Sequence, residues 1–367
     1  MAALRHRESD RVPVDVGGCG TTGMVASCHA RLCRHLGIEM EGDRPFFARR
    51  FDVVVPEDRL LERLGVDCRG INLAGSDSNP ERVESDGSVL IDEFGVRWER
   101  PPEAHYIAVE GPFQRTNDPG PADLAKFRWP DAADPGRYRT LRERAAALHR
   151  NTPYAVVYSA GAGPVHIGQW MRGYAEWLED LYDRPSFLIE MSERVAAFWM
   201  ETTRRALQEA SEFIDVVMFG DDLGTQTTPV MRPEMYRQLI KPIHRKMVET
   251  VKCFGKPVLY HTCGCVYPLI PDFIDLGVDA LNPVQVSARN MEPERLKREF
   301  GREMAFWGAI DTQHILPRGT PADVRGEVRR RIDEFGKDGG YVVAAVHNLQ
   351  PDVPPENIVA MVEAVIE

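Results

Sequence analysis

A chain of 367 residues, 43% hydrophobic and 28% charged, has the make-up of an ordinary globular enzyme. Its 45 Lys plus Arg against 56 Asp plus Glu leave a net charge of −11. That balance excludes the broadly positive surface needed for nonspecific binding to nucleic acid or an anionic membrane. No apolar stretch approaches the roughly 18 to 20 residues that span a bilayer. The opening Met1-Ala-Ala-Leu-Arg-His-Arg-Glu8 is too polar for a signal peptide, so the expected location is cytoplasmic. Seven cysteines, at 19, 28, 33, 68, 253, 263 and 265, are odd in number and scattered. They read as reduced thiols or metal ligands rather than a disulfide framework.

Short β-rich runs recur along the chain at residues 12–16, 66–73, 155–159, 216–220, 257–261, 280–283, 304–308 and 341–346. Amphipathic helical patterns separate the later ones, at 187–210, 233–254, 266–276, 291–300 and 321–335. Pro and acidic residues open several of these, as in Thr320-Pro321-Ala-Asp323 and Arg232-Pro233-Glu234. Alternating strand and helix implies a parallel sheet. Eight strands, apolar on both faces, predict an α/β fold of the (β/α)8 TIM-barrel type. Length alone suggests two domains, yet such barrels commonly exceed 250 residues as one unit. The expectation is therefore a single barrel domain over 1–367. An insertion at about 74–140, between strands two and three, breaks the alternation. Within it, residues 89–98 read as a hairpin turning at Glu93-Phe94-Gly95.

In such barrels the chemistry sits at the C-terminal ends of the strands, and these ends are polar here. Strand one leads into Asp15 and the glycine-rich 17–20 turn, strand four into Asp221 and Asp222, and strand five into His261-Thr262-Cys263. Strand six is followed by Gln285, strand seven by Asp311 and Gln313, and strand eight by His347. Side chains two apart on a strand share a face, so His261 and Cys263 can present an imidazole and a thiolate together. His347 opens on the same barrel end and supplies a third donor. Three protein ligands with an open fourth position is the pattern of catalytic zinc, and Cys265 is an alternate whose direction the period does not fix. A ligating His usually donates its other N–H to an acceptor, for which Asp311 and Asp221 are the carboxylates nearest in the topology.

Asp221, Asp222 and Asp311 are the candidate catalytic residues; neighbouring carboxylates disfavour double ionisation and suit acid–base work. The bland reading of the Asp221-Asp222 pair is that adjacent loop residues diverge. Asp15, Tyr158, His166, Gln285 and Gln313 are candidate substrate contacts. For the two glutamines the alternative is satisfying buried loop backbone, and for His166 a place in a helix start. The 17–20 glycines read more readily as a βα turn than as an anion cradle. Trp170, Trp177 and Trp199 read as core or interface.

The segments Asp10-Arg-Val-Pro-Val14, Gly220-Asp-Asp-Leu-Gly224, His261-Thr-Cys-Gly264, Leu281-Asn-Pro-Val-Gln285, Gly308-Ala-Ile-Asp311 and Pro351-Asp-Val-Pro-Pro-Glu-Asn357 together resemble the uroporphyrinogen decarboxylase superfamily. The branch they resemble is the zinc methyltransferase-like one that includes methyl-corrinoid:coenzyme M methyltransferases. The resemblance implies a (β/α)8 barrel, bound Zn2+, a homodimer and, as one option, a corrinoid carried by a partner protein. It implies a methyltransferase-like enzyme moving a methyl group between a small substrate or thiol and that corrinoid. Two departures bear on this. The Arg-Gln-Ala-Gly-Arg element of the true decarboxylases is missing; residues 14–22 stand in its place, which argues against porphyrinogen decarboxylation. And His347 falls where the transferases carry a later Cys. One thiolate fewer makes a bound metal a stronger Lewis acid and a bound thiolate a weaker nucleophile. Alternatives are a zinc-dependent lyase, decarboxylase or hydrolase of a small carbonyl or carboxylate substrate, and a noncatalytic zinc-containing subunit of a corrinoid system.

Overall fold

The computed structural model describes all residues except Glu41, Asp43, Glu103, Thr152 and Glu367. Its frame is a curled sheet of seven parallel strands: β2 (Cys68–Ile71), β3 (Ala155–Ala162), β4 (Val216–Gly220), β5 (Val258–His261), β6 (Ala280–Asn282), β7 (Ala305–Ile310) and β8 (Tyr341–Ala345). They pair in unbroken chain order from β8 to β2. The two edges are joined by β1, residues 12–16, which is reduced to a single parallel bridge between Val14 and Val343. Asp15 N donates to Val343 O (2.8 Å), Val343 N to Pro13 O (2.9 Å), and Asp67 N to Val14 O (2.9 Å). Those bonds close the eight-stranded TIM-type barrel that the alternation predicts.

Closure explains why the strands are apolar on both faces. Within β3, Val157 joins an inner cluster with Cys68, Val216, Met218, Leu259, Trp307 and Ala344. Its neighbours Val156 and Tyr158 belong to the outer cluster that packs on the helices. Period-two alternation therefore buries both sets.

The helices follow their signals. Helix Pro321–Phe335 starts at a capping box, with Thr320 N donating to Asp323 Oδ2 (2.8 Å) and Asp323 N to Thr320 Oγ1 (3.3 Å). The pattern at 233–254 is interrupted: Pro233–Met235 and Lys241–Lys252 are α-helical, and Tyr236–Ile240 between them is a π turn. Pro242 accounts for the break, because its ring clashes with the carbonyl four residues back and it has no N–H to bond.

The inserted segment forms a four-stranded antiparallel meander, Arg82–Val83, Val89–Ile91, Arg97–Glu99 and Ile107–Glu110. Its hairpin turns where the sequence indicates: Asp92 Oδ1 accepts from Phe94 N (2.9 Å) and Val96 N (3.0 Å), and Gly95 takes a φ of 75°. A smaller sheet of Met24–Val25, Phe46–Ala48 and Val53–Val54 lies between β1 and β2, where the sequence patterns give no strand.

Candidate functional site

Three of the predicted donors meet at the C-terminal end of the barrel. One ligand atom each from His261, Cys263 and His347 lie within 4.8 Å of one another. Cys263 Sγ stands 3.6 Å from His261 Nε2, and the His261 and His347 rings are 5.6 Å apart, edge to face. Glycines make this approach possible. A Cβ on Gly220 would fall 2.6 Å from His261 Cβ, and one on Gly264 (φ 86°) would fall 2.5 Å from the Gly224 backbone. Any side chain at either position would push the β4 and β5 loops apart.

His261 is held in one tautomer. Asn282 Nδ2 donates to Trp307 O (3.0 Å), which turns the amide oxygen toward the imidazole. That oxygen accepts from His261 Nδ1 (2.7 Å) and from Thr21 Oγ1 (3.2 Å). With its proton on Nδ1, His261 directs the Nε2 lone pair at Cys263. Burial pushes His261 down to about 4, leaving it neutral at physiological pH, the form that binds metal. Burial and the neighbouring Asp222 charge hold the Cys263 thiol well above its usual range, so a metal would have to displace its proton. His347 Nδ1 is occupied by Asn348 Oδ1 (2.7 Å), which leaves Nε2 as the nitrogen that can serve as a donor.

The outer partner of His261 is therefore Asn282, and neither Asp311 nor Asp221 as the topology suggests. Asp311 Oδ1 accepts from the backbone N of Gln313 (2.6 Å) and His314 (3.2 Å), and Oδ2 pairs with His314 Nδ1 (3.0 Å). Its carboxylate caps its own loop. Asp221 is fully buried beneath the mouth, accepting from His166 N (2.8 Å) and paired with His244 Nε2 (2.9 Å). His244 in turn meets Tyr236 Oη (3.2 Å), which the π turn brings into range.

The adjacent aspartates diverge, as neighbouring loop residues tend to. Asp222 stays at the mouth: Oδ1 accepts from Cys263 N (2.8 Å), and Oδ2 lies 3.3 Å from His166 Nε2. Burial alone would lower His166, but the hydrogen bond and charge of Asp222, with the charge of Asp221, push it up to about 9. Burial would likewise raise Asp222, yet His166 holds it far below the usual carboxylate range. The pair is charged at neutral pH. The His166 ring stacks on Trp170, centroids 5.3 Å apart and 19° from parallel, so Trp170 supports the mouth while Trp177 and Trp199 are buried in the core.

The other predicted contacts fall elsewhere. Asp15 is fully buried, accepting from Gly18 N (2.7 Å) and Trp307 Nε1 (2.9 Å), and burial raises it to about 6. It braces the first βα turn from inside the barrel. Tyr158 belongs to the cluster that packs on the helices and also lines a cavity past the C-terminal ends of β2 and β3. Gln285 Oε1 accepts from Gly264 N (2.8 Å) and so pins the turn after Cys263. Gln313 is exposed, bonding through its backbone. Cys265 is buried in the outer hydrophobic cluster, away from the donor triad. Sequence reasoning missed Asn282, whose only signal is an amide residue ending an apolar strand.

The donor set fits zinc. Zn–S near 2.3 Å and Zn–N near 2.0–2.1 Å at a tetrahedral angle put S and N roughly 3.6 Å apart, the spacing found between Cys263 Sγ and His261 Nε2. Two nitrogens and one sulfur, with the second nitrogen of each imidazole occupied by an amide oxygen, leave a fourth position for a substrate atom.

Known proteins share this frame. A uroporphyrinogen decarboxylase of Methylococcus capsulatus is 24% identical over 311 residues, 78% of this chain and 81% of its own length. A methylated-thiol–coenzyme M methyltransferase of Methanosarcina mazei is 26% identical over 138 residues, 38% of this chain and 34% of its own. The solved structure of a methyltransferase from Methanosarcina mazei superposes with a TM-score of 0.67 at 17% identity, covering 100% of this chain and 96% of the other; it shares the fold. The family model for uroporphyrinogen decarboxylase (URO-D) matches residues 83–367, most of the chain including β3 to β8 and all three donors. The chain belongs to the uroporphyrinogen decarboxylase (URO-D) family.

Proposed function

We propose that the protein is a zinc-dependent, methyltransferase-like enzyme that moves a methyl group between a small thiol or related heteroatom substrate and a corrinoid on a partner protein. The observation that carries this reading is the His261–Cys263–His347 triad at the barrel mouth, its donor atoms within 4.8 Å of one another and the Cys263–His261 pair at the spacing of a tetrahedral edge. Methyltransferases among the relatives agree with it.

His261, Cys263 and His347 would hold the zinc, which when bound supplies Lewis acidity and keeps a substrate thiol in its nucleophilic thiolate form. The chain's own residues prepare that step. Asn282 fixes the His261 tautomer, Gln285 and Asp222 pin the two N–H groups around Cys263 and Gly264, and the glycines at 220 and 264 admit the close packing of the two loops. The charged Asp222–His166 pair beside the donors already carries its proton on His166, so it presents fixed charge at the mouth and the proton of a binding thiol leaves to solvent. Asp221 acts below the mouth, anchoring the start of helix Pro164–Arg172, on which His166 rides.

Metal analysis of protein purified without added metal should find about one zinc per chain, with most of it lost in the His347→Ala variant. Full retention in that variant removes His347 from the triad. Transfer of a methyl group from a methylated corrinoid protein to a small thiol then tests the reaction, and a zinc-loaded protein inert in that assay rules out this chemistry.

A further inference from the structure

Beneath the mouth lies a group of buried side chains to which the proposed reaction gives no part. Its centre is His244, on helix Lys241–Lys252; it is fully buried, as are Asp221 and Tyr236 beside it. His244 Nε2 meets Asp221 Oδ2 (2.9 Å), and His244 Nδ1 meets Tyr236 Oη (3.2 Å). Both ring nitrogens are engaged, so the ring cannot turn without breaking these bonds. The backbone is irregular at the same place. Tyr236 opens the π turn Tyr236–Ile240, an element that recurs at functional sites, and here the turn delivers its hydroxyl to His244.

The His244 ring also spans two strands. It packs edge-on against Phe219, centroids 6.4 Å apart, and against Tyr260, centroids 5.6 Å apart. Phe219 and Tyr260 are register partners on β4 and β5. Phe219 stands two residues before Asp221, and Tyr260 is the residue before the donor His261. One imidazole therefore bears on both strands just below the point where their ends form the mouth. On its other side, Asp221 Oδ1 accepts from His166 N (2.8 Å), and a Cβ on Gly163 would fall 2.4 Å from Oδ2. The carboxylate is boxed in against the start of helix Pro164–Arg172. A carboxylate buried this fully is tolerated only where its oxygens are bonded, and His244 supplies one of those bonds.

We infer that His244, oriented by Tyr236, is a positioning residue for the barrel mouth. It acts through its neighbours rather than on the reacting atoms. Its bond to Asp221 fixes the turn at the end of β4, and the next residue, Asp222, accepts from Cys263 N (2.8 Å) and pairs with His166 (3.3 Å). Its contact with Tyr260 holds β5 at the residue before His261. The spacing of Cys263 and His261 is in this way set from underneath. The inference rests on the mouth being the reaction site, and it adds the residues that hold that site in shape.

Alkylation of the full chain with iodoacetamide after chelator treatment, resolved cysteine by cysteine by mass spectrometry, tests it. Cys263 is partly exposed at the mouth, whereas Cys28, Cys33 and Cys68 are buried and report general loosening. Cys263 should react about 10-fold faster or more in His244→Leu than in wild type, the size of a lost hydrogen bond to a carboxylate, while the three buried cysteines stay unreacted. His244→Gln keeps an N–H donor for Asp221 and should bring the rate back to within about threefold of wild type. Tyr236→Phe keeps the ring and should raise the rate about threefold, the size of a lost neutral hydrogen bond. Equal Cys263 rates in wild type and His244→Leu overturn the inference, and so does a rise shared by all four cysteines, which would make His244 a general stabiliser. If the leucine variant does not fold, an unchanged rate in Tyr236→Phe overturns it instead. Zinc content of the same proteins before chelation separates the two readings. Zinc in wild type with equal Cys263 rates sinks this inference alone, and the expected order of rates in a protein that holds no zinc sinks the metal assignment alone.

Discussion

The two sides of the barrel mouth differ in how they are built. On the β5–β6–β8 side, donors come from strand ends, are packed within a few ångströms, and are held by neutral amides: Asn282 on His261, Asn348 on His347, Gln285 on the following turn. On the β2–β3 side, loops and the inserted sheet wall a cavity of about 870 Å³ whose lining is rich in arginine. Strands fix positions to the tolerance that metal coordination needs, and loops shape volume and charge. The Asp222–His166–Trp170 stack lies between the two sides.

The largest break in that comparison should come from Asn282. Asn282→Ala removes the acceptor that sets the His261 tautomer, and loss of such an outer partner typically costs about 10- to 100-fold in metal affinity. Competition with a chromogenic chelator measures it. A variant with zinc affinity intact would mean that the triad holds its geometry without the amide.

The stack between the sides should respond to pH. His166 is raised from 6.5 to about 9 by Asp222 and Asp221 acting against burial. A His with a raised folded pKa contributes stability that is fully present below its unfolded value, near 6.5, and fades as pH climbs through about 9. At about 1.4 kcal/mol per unit, the ceiling is about 3 kcal/mol, shared with the Asp222 partner. The stability gap between wild type and His166→Gln, from urea unfolding of chelator-treated protein, should therefore be widest near pH 6 and close toward pH 9.5. A gap that stays constant over this range would show that His166 contributes packing on Trp170 and no ion pair.

How much of this was legible in the sequence depends on how local the cause is. His261 and Cys263 share a strand and a period of two, and His347 ends another strand, so the triad needs only the barrel to become visible. The 220–224 and 281–285 segments mark their strand ends in the same way. What each side chain does there is a tertiary matter. Asp221 and Asp222 are neighbours in sequence yet serve a buried histidine and the mouth respectively, because the chain turns between them. Asp15 ends a strand like the donors but turns into the sealed interior against Trp307. The arginine cavity was not legible at all: Arg44, Arg49 and Arg50 precede β2, Arg137 and Arg144 follow the meander, and no spacing rule relates positions so far apart. Nor does composition help, because the global charge has the opposite sign.

The smallest effect is expected at Gln313, and it tests the same distinction from the other direction. As a sequence feature Gln313 matches Gln285, a polar residue just past a strand end. In the fold, Gln285 spends its amide oxygen on Gly264 N and is buried, whereas Gln313 uses only its main-chain N–H, toward Asp311, with its side chain in solvent. Gln313→Ala should then change stability by no more than about 0.5 kcal/mol and leave zinc content unaltered. A clear loss of methyl transfer in this variant, with zinc content intact, would mean that the loop after β7 closes over the mouth once substrate is bound. In that event the loop-built side of the mouth extends across β7, and the boundary between the two sides would have to be redrawn.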